Sequence, residues 1–587
     1  MTEHDTGDAA WAESTSLPVT WVSGRWRLEL RDDEIADIQF DGRPVLRSIR
    51  GVARDRDWGT IPPRVISVDR GGDRIAINVS LVGRDADIAA RLVVEADGDT
   101  LQVRWDGTLG APFLRARLGL VVLHPPFLAG EPLQITHSDS SVEHTAYPLE
   151  ISPHQPAFDI RALSWQHHGL SAAVEFDGDV FEMEDQRNWT DASYKTYSTP
   201  LALPFPVQLE AGLTVSQGIT ICCSAPAPIA VPPVAPRIRM VDTGRNVPSV
   251  GTSASTGPTV SEPMPVGTTL LVELPAHTEA WRAALDRAVI EAHGLPLDVR
   301  VVGAASDRLD EVLDALSTLE VARIGAFTAD THVSEAELYE QLEAGIHRRG
   351  LAIPIVGGTR AHFTELNRTL HRLPADIAEY TFSITPQMHA TGQQQLVESI
   401  AMQRLVAQNA VRLTGGPVHI GPVTLRSRFN AVATTRTPDA DVVDLRAGYN
   451  AAVTPDATDS RQQSGALLAW TVASAAALAV PGVASISWFE ASGPRGLRDA
   501  DGTSFPVEIA LEWLAEIAGS PLLEVAANTG TAEANSGLWA VGARSGETSI
   551  VLLANLRTTP VATTLIVDTQ ERLVELAPLA ARRIVFR

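Results

Sequence analysis

Between residues 18 and 223 apolar and polar positions alternate in short runs. They fall at Trp26–Leu30, Arg74–Val82, Ala90–Glu95, Leu101–Trp105, Leu170–Glu175 and Leu213–Cys222. Successive side chains of a strand point to opposite faces, so a period of two marks strands with one buried face. Asp-Gly and Gly-Gly pairs at 41–42, 71–72, 97–98, 106–107 and 177–178 supply the turns between them. No ten-residue stretch here shows a helical period. The pattern predicts an antiparallel N-terminal β-sandwich over 18–223, preceded by a flexible N-terminus at 1–17.

Residues 224–266 are rich in Pro, Gly, Ser and Thr and read as a linker. The period then changes. Apolar runs at Thr269–Leu274, Leu297–Val302, Ala322–Phe327, Leu351–Val356, Tyr380–Ile384, Val418–Leu425 and Ala484–Phe489 alternate with helical stretches. The helices read as Glu279–His293, a segment with Leu309, Val312, Leu313 and Leu316 on one face, one opened by a Ser334/Glu337 capping box, Gln394–Val411 and Gly465–Val480. Strand–helix alternation means parallel βα units. Seven strands are clear, and Val442–Leu445 is the candidate for the eighth. No G-x-G-x-x-G turn follows any strand, so a (β/α)8 TIM-like barrel over 267–518 is the expected closure. A helix at Pro506–Ile517 ends it, and short alternating runs over 519–587 predict a small C-terminal β-domain. The fold class is thus α/β plus all-β, a central barrel flanked by two β-domains.

The chain has 587 residues, with 47 Lys plus Arg against 71 Asp plus Glu, a formal charge of −24. Such a surface repels nucleic acid and anionic lipid, and neither is expected as a partner. Its two cysteines, Cys222 and Cys223, are adjacent and cannot staple distant segments. The first residues lack an apolar signal core, and the apolar run Ala466–Val480 is too short for a membrane span. A cytoplasmic protein, with homo-oligomerisation left open, is expected. One detail of composition bears on chemistry: Lys195 is the single lysine, and the other cations are arginine. A lysine can lose its proton when buried, which arginine cannot.

In a barrel the catalytic groups sit at the C-terminal ends of the strands. The later ends carry His389, Glu490, Arg426, Arg428 and Asn430, with Glu365 a few residues beyond its strand; the earlier ends are bland. Arg426 and Arg428 share a face, as an anion clamp or as partners in buried ion pairs. A second constellation lies at 181–197, where Glu182, Glu184, Arg187, Asn188, Trp189, Tyr194 and Lys195 crowd a segment without Gly or Pro. Aromatic walls with a few placed polar groups suit a small-molecule site. A solvated edge strand is the competing reading. The histidines at 124, 137 and 154 lack ligand spacing, and neither H-E-x-x-H nor G-x-S-x-G occurs. No metal or cofactor is expected.

FEMEDQRNWTDASYKTYSTPLALPFP, ISPHQPAFDIRAL, VVLHP, RDRDWGT, VGGTRAHFTELNR, PQMHA, PVTLRSRFN and WFEASGPRG, collinear over about residues 20–500, resemble the D-apionate lactonase family. That resemblance implies a β-domain, a TIM barrel and a second β-domain. It also implies hydrolysis of D-apionolactone to D-apionate in bacterial apiose catabolism, with a small-molecule sugar lactone as partner. Lactone opening needs a base for water, donors for the oxyanion and an acid for the leaving alkoxide. Glu490 or Glu184 is the expected base; Arg426, Arg428 or Lys195 the oxyanion donor; His389 the acid or an orienting group. Arg187, Asn188, Trp189, Tyr194, Glu182, Asn430 and Glu365 are expected substrate contacts. The alternative is a glycoside hydrolase using paired carboxylates, Glu365 and Glu490, at the barrel mouth. A non-catalytic carbohydrate-binding protein is the third reading.

Overall fold

The computed structural model describes residues 11, 18–226, 236–258, 265–431, 445, 448–526 and 537–587. From Val19 to Ser224, seventeen strands form one continuous hydrogen-bonded network. The alternation in sequence becomes alternation in burial. Trp26–Arg31 buries every second residue, placing Trp26, Leu28 and Leu30 in the core. The inward positions of neighbouring strands complete a core with Phe40, Leu92, Val94, Trp105 and Val122. Gly51 is required there, because a Cβ would stand 2.1 Å from the Trp105 indole.

Among the described residues the second sheet holds eight parallel strands. In chain order these are Ser249–Ser253, Thr269–Pro275, Leu297–Val302, Val321–Phe327, Val356–His362, Glu379–Ile384, Val418–Val423 and Val483–Glu490. Each lies beside its sequence neighbours and the first pairs with the last. The ring is nearly closed between the fourth and fifth strands, where Ile324 bridges Ile355 in parallel. Helices Ala280–Ala292, Ser306–Leu316, Ala336–Arg349, Phe363–Thr369, Gln393–Thr414, Gly465–Leu478 and Pro506–Ile517 follow strands two to eight.

Three sequence readings need correction. The eighth strand is Ser249–Ser253, inside the segment read as a linker; of the alternative, Val442–Leu445, only Leu445 lies within the described residues. That strand escapes a hydropathy reading because Ser, Gly and Thr fill most of it. The rest of the supposed linker is also structured in part: Arg237–Asn246 joins the C-terminal sheet, parallel to Val561–Val567 and antiparallel to Pro521–Val525. The fifth barrel strand is Val356–His362 and not Leu351–Val356, so its C-terminal end is shifted by six residues. Its two glycines hide it, and both are packed against backbone or core: Cβ atoms at Gly357 and Gly358 would meet Ile377 and the Thr381 carbonyl at 2.5 Å each. Finally, Ser334 does not cap a helix. Its hydroxyl donates to the Ala326 carbonyl, and Glu335 holds the N-cap position.

The C-terminal sheet has seven strands, ending at Ala580–Phe586. The helix Gly465–Leu478 lies between the barrel and this sheet, touching Leu538–Ser545, Thr548–Asn555 and Ala580–Phe586. Burial on all sides explains its uniform apolar sequence and lack of an amphipathic period. Among the described residues no helix is long and apolar enough to cross a membrane.

Candidate active site

A cleft of about 2940 Å³ separates the N-terminal β-domain from the barrel mouth. Its floor is laid by three adjacent antiparallel strands, Arg43–Asp55, Phe113–His124 and Tyr194–Tyr197. The period of two selects the cleft-facing side chains: Arg50, Val52 and Arg54; then Arg117, Gly119, Val121 and Leu123; then Lys195 and Tyr197. Strand Phe181–Asp185 pairs with Tyr194–Tyr197 and sets Glu184 opposite Lys195.

Between these two strands the chain turns through Gln186–Trp189 and reaches the barrel rim. Asp185 caps this turn and forms a buried ion pair with Arg187 at 2.7 Å. Asn188 accepts from Asn367 at 2.9 Å and Thr190 donates to the Thr385 carbonyl at 3.3 Å, both on the barrel. The turn thereby delivers Asp191, whose carboxylate lies 2.8 Å from Nδ1 of His389, just past the sixth barrel strand. Asp191 and His389 are thus one of several hydrogen-bonded pairs that join the two domains. With Nδ1 held by Asp191, the neutral imidazole carries its proton there and keeps its Nε2 lone pair for the cleft. Trp189 stands edge-on to the His389 ring, centroids 5.9 Å apart.

Charge is dense here. Lys195 Nζ sits 2.5 Å from Glu184 and 4.8 Å from the centre of the Tyr197 ring. Glu184 also accepts from Trp189 Nε1 at 3.3 Å and faces Arg368 at 3.5 Å. Burial alone would raise the Glu184 carboxyl, but Lys195, His389 and Arg368 outweigh it and hold it far below the carboxylate range. Burial draws Lys195 below its usual value against the pull of Glu184. Burial likewise draws His389 below 6.5 in spite of Asp191. The imidazole is therefore neutral at pH 7, the form able to accept a proton.

The barrel side of the cleft is a network of satisfied ion pairs. Glu273, on the second strand, receives Arg360 at 3.0 Å and Arg428 at 2.5 Å, and the two cations hold it at about 2 despite burial. Arg360 stacks on Phe429 at 3.9 Å and reaches His332 Nδ1 at 3.1 Å. Arg426 binds Asp459 at 3.0 Å, which also holds Arg461. Of the two readings of Arg426 and Arg428, the geometry is that of ion pairs. Asn430 lies at the cleft edge and donates to the Asp57 carbonyl at 3.2 Å.

The structure therefore brings His389, Glu184, Lys195, Trp189, Arg426, Arg428 and Asn430 to one cleft. It sets the other sequence candidates apart. Glu490 is buried, accepting from the Thr256 amide at 2.9 Å, its hydroxyl at 2.8 Å and Arg495 at 3.0 Å. Its strand end is roofed by the segment after Ser253. Glu365 accepts from the His362 amide at 3.0 Å as a helix cap, and burial pushes its carboxyl up to about 7. The Glu365–Glu490 pair does not face the cleft. Arg187 is spent on Asp185 and the carbonyls of Pro148 and Glu150, and Tyr194 donates to the Pro148 carbonyl at 2.6 Å. Asn188 is an interdomain strut. Glu182 shares the face of Glu184 but is buried and does not line the cleft, accepting from the Tyr197 hydroxyl and the Leu201 amide. Sequence reasoning passed over Asp191, Arg54, Arg117, Glu273, Arg360 and His332. Asp191 stood in the aromatic segment already singled out, but nothing in the sequence tied it to His389. Among the described residues no three His, Cys, Asp or Glu side chains group as metal ligands.

A barrel mouth capped by a β-domain and lined by a lysine and a carboxylate-held histidine has the form of a barrel enzyme's active site. Comparison with known proteins narrows this. Residues 7–226 match the D-apionate lactonase N-terminal domain and residues 265–519 the D-apionate lactonase TIM barrel domain. A D-apionate lactonase of Brucella anthropi is 28% identical over 461 residues, 71% of this chain and 74% of that protein. The chain belongs to the D-apionate lactonase family and is a lactone hydrolase. Solved structures resemble it only loosely. SrfJ of Salmonella typhimurium is 10% identical, covers 66% of this chain and 98% of its own, and has a TM-score of 0.41. A GH30 endoxylanase of Clostridium papyrosolvens, also 10% identical, covers 60% and 99% with a TM-score of 0.38. Neither score supports an argument about chemistry.

Proposed function

We propose that the protein hydrolyses D-apionolactone to D-apionate, with His389 as general base. The observation on which this rests most is the 2.8 Å bond from Asp191 to His389 Nδ1 in a cleft that also presents Lys195. Neutral His389 takes a proton at Nε2 from a water, whose oxygen attacks the lactone carbonyl. The carbonyl π-electrons move to oxygen, and the Lys195 ammonium, anchored by Glu184, stabilises that oxyanion. On collapse the carbonyl reforms, the ring C–O bond breaks and the alkoxide takes the proton from the His389 imidazolium. The acid product then loses its proton to solvent. Asp191 fixes the tautomer and steadies the imidazolium. A positioned base is worth ~10²–10⁴ in rate, and an oxyanion donor ~10²–10³.

These steps draw on the chain's own groups, so activity is expected to survive exhaustive chelation. The deciding experiment offers purified protein a panel of aldonolactones and p-nitrophenyl glycosides, following acid and nitrophenol separately. Acid release led by D-apionolactone supports the reading. Nitrophenol release without acid release overturns it.

A further inference from the structure

The cleft floor holds a feature that lactone opening does not use. Arg54 and Arg117 stand directly opposite one another on adjacent antiparallel strands, and both face the cleft. Like charges in opposed register destabilise a sheet. Arginine cannot relieve the conflict by losing its proton. Five other cleft arginines are matched to carboxylates: Arg47 to Glu398, Arg50 to Asp33, Arg426 to Asp459, Arg360 and Arg428 to Glu273. This pair is not. Arg54 donates to the Trp58 carbonyl at 3.1 Å, and Arg117 donates Nη1 to the Ala116 carbonyl at 2.6 Å. Nε and Nη2 of Arg117 are buried without a hydrogen-bond partner, in a residue only 7% exposed.

The Arg117 guanidinium is fixed by aromatic rings. Its carbon lies 4.8 Å from the centre of Trp58, 5.6 Å from Phe205 and 5.7 Å from Tyr197. Tyr197 favours its charge most, and Glu182 and Glu184 add to this from beyond ion-pair distance. Burial depresses both guanidinium groups, as expected for cations lacking a counter-ion. Leaving buried N–H donors and a fixed charge unmatched costs free energy that a bound anion recovers. Two planar forks side by side suit a carboxylate, which each can grip through paired N–H bonds.

Position names the carboxylate. Arg54 lies within electrostatic reach of Glu184, Asp191, Lys195 and His389 as well as of Arg117. Lys195 and Arg117 both stand over the Tyr197 ring. The unmatched pair is thus next to the reacting centre. There a neutral lactone carbonyl becomes a carboxylate while the ring opens into a longer, freely turning chain. We propose that Arg54 and Arg117 form an aldonate subsite, which takes the carboxylate of the ring-opened product and makes the enzyme sensitive to product inhibition. The assignment rests on the lactonase reading for the identity of the anion.

The test is titration calorimetry of the full-length protein with sodium D-apionate, beside product-inhibition kinetics. Wild type is expected to bind D-apionate and to be inhibited competitively. Arg117→Met keeps an apolar stem among the rings and should weaken D-apionate binding at least tenfold, the inhibition constant rising at least tenfold more than KM for the uncharged lactone. Arg54→Lys keeps the charge but loses the fork, and should weaken binding severalfold; it stands in if Arg117→Met fails to fold. D-apionate that does not bind wild type, or binds it and Arg54→Lys alike, overturns the subsite; so do KM and inhibition constant rising in step. Arginine-dependent D-apionate binding by a protein that opens no lactone would instead leave the subsite standing and remove the lactonase mechanism.

Discussion

Replacing Asp191 with Asn alters one atom of a buried hydrogen bond and removes one charge. Asp191 is 3% exposed and accepts from His389 Nδ1 at 2.8 Å. An Asn can present its amide N–H to Nδ1, which moves the imidazole proton to Nε2 and abolishes the base. If it presents its oxygen instead, the tautomer survives without the charge that steadies the imidazolium. A positioned general base supplies ~10²–10⁴ in rate, about 3–5 kcal/mol at 1.36 kcal/mol per decade. We expect kcat for lactone opening in a pH-stat to fall by that factor. The thermal midpoint should move by only a few degrees, because neutral His389 is not left as an unpaired ion. Wild-type kcat/KM should fall on the acid side as His389 gains its proton, with a midpoint below 6.5 because burial lowers it. Asp191 pulls that midpoint upward, so the Asn variant's residual activity should show it lower still. A variant within threefold of wild type would refute the base assignment.

Glu490→Gln removes the charge facing Arg495, a buried pair at 3.0 Å. It should cost about 3–5 kcal/mol and lower the melting temperature, while kcat per folded molecule changes less than threefold; a kcat loss of 10²-fold with unchanged melting would restore Glu490 to the chemistry. Glu365 titrates near 7 in the fold against about 4.5 for an ordinary glutamate, so its burial penalty is full above pH 7 and gone below about 4.5. Glu365→Gln should therefore stabilise at pH 8, by about 3 kcal/mol, and have little effect at pH 4.5; denaturant titrations at both pH values check the sign. Trp470 is fully buried and donates to the Leu396 carbonyl at 2.7 Å. Trp470→Ala should cost about 3–5 kcal/mol in urea unfolding, and a loss below 1 kcal/mol would show that this side chain does not anchor its helix to the barrel.

Periodicity revealed strands and helices whose residues divide cleanly by hydropathy. Leu297–Val302 and Pro506–Ile517 have the bounds that the apolar pattern predicts. It failed where packing rests on small residues and backbone, as at Ser249–Ser253 and Val356–His362, since glycine, serine and threonine carry little hydropathy signal. The candidate site was legible in residue type and only partly in partnership. Lys195 stood out as the single lysine, and Glu184 shares its register. Strand-end logic located His389. The same logic favoured Glu490, which does end its strand, but the path of Ser253–Thr256 over it depends on a strand that sequence did not show. Asp191 and His389 are 198 residues apart, and only the docking of the 186–191 turn on the barrel rim brings them into contact. Arg54 and Arg117 acquire meaning only from the cross-strand register, which hydropathy does not specify.

The proposed lactone chemistry depends on His389, which the Asp191 carboxylate of the N-terminal domain holds at the barrel rim. The measurement is the rate of acid release from D-apionolactone by His389→Ala, with and without added imidazole, at matched folded concentration. A loss of ~10²–10⁴-fold, partly restored by imidazole, is the predicted result. A His389→Ala protein that opens the lactone at the wild-type rate would contradict it.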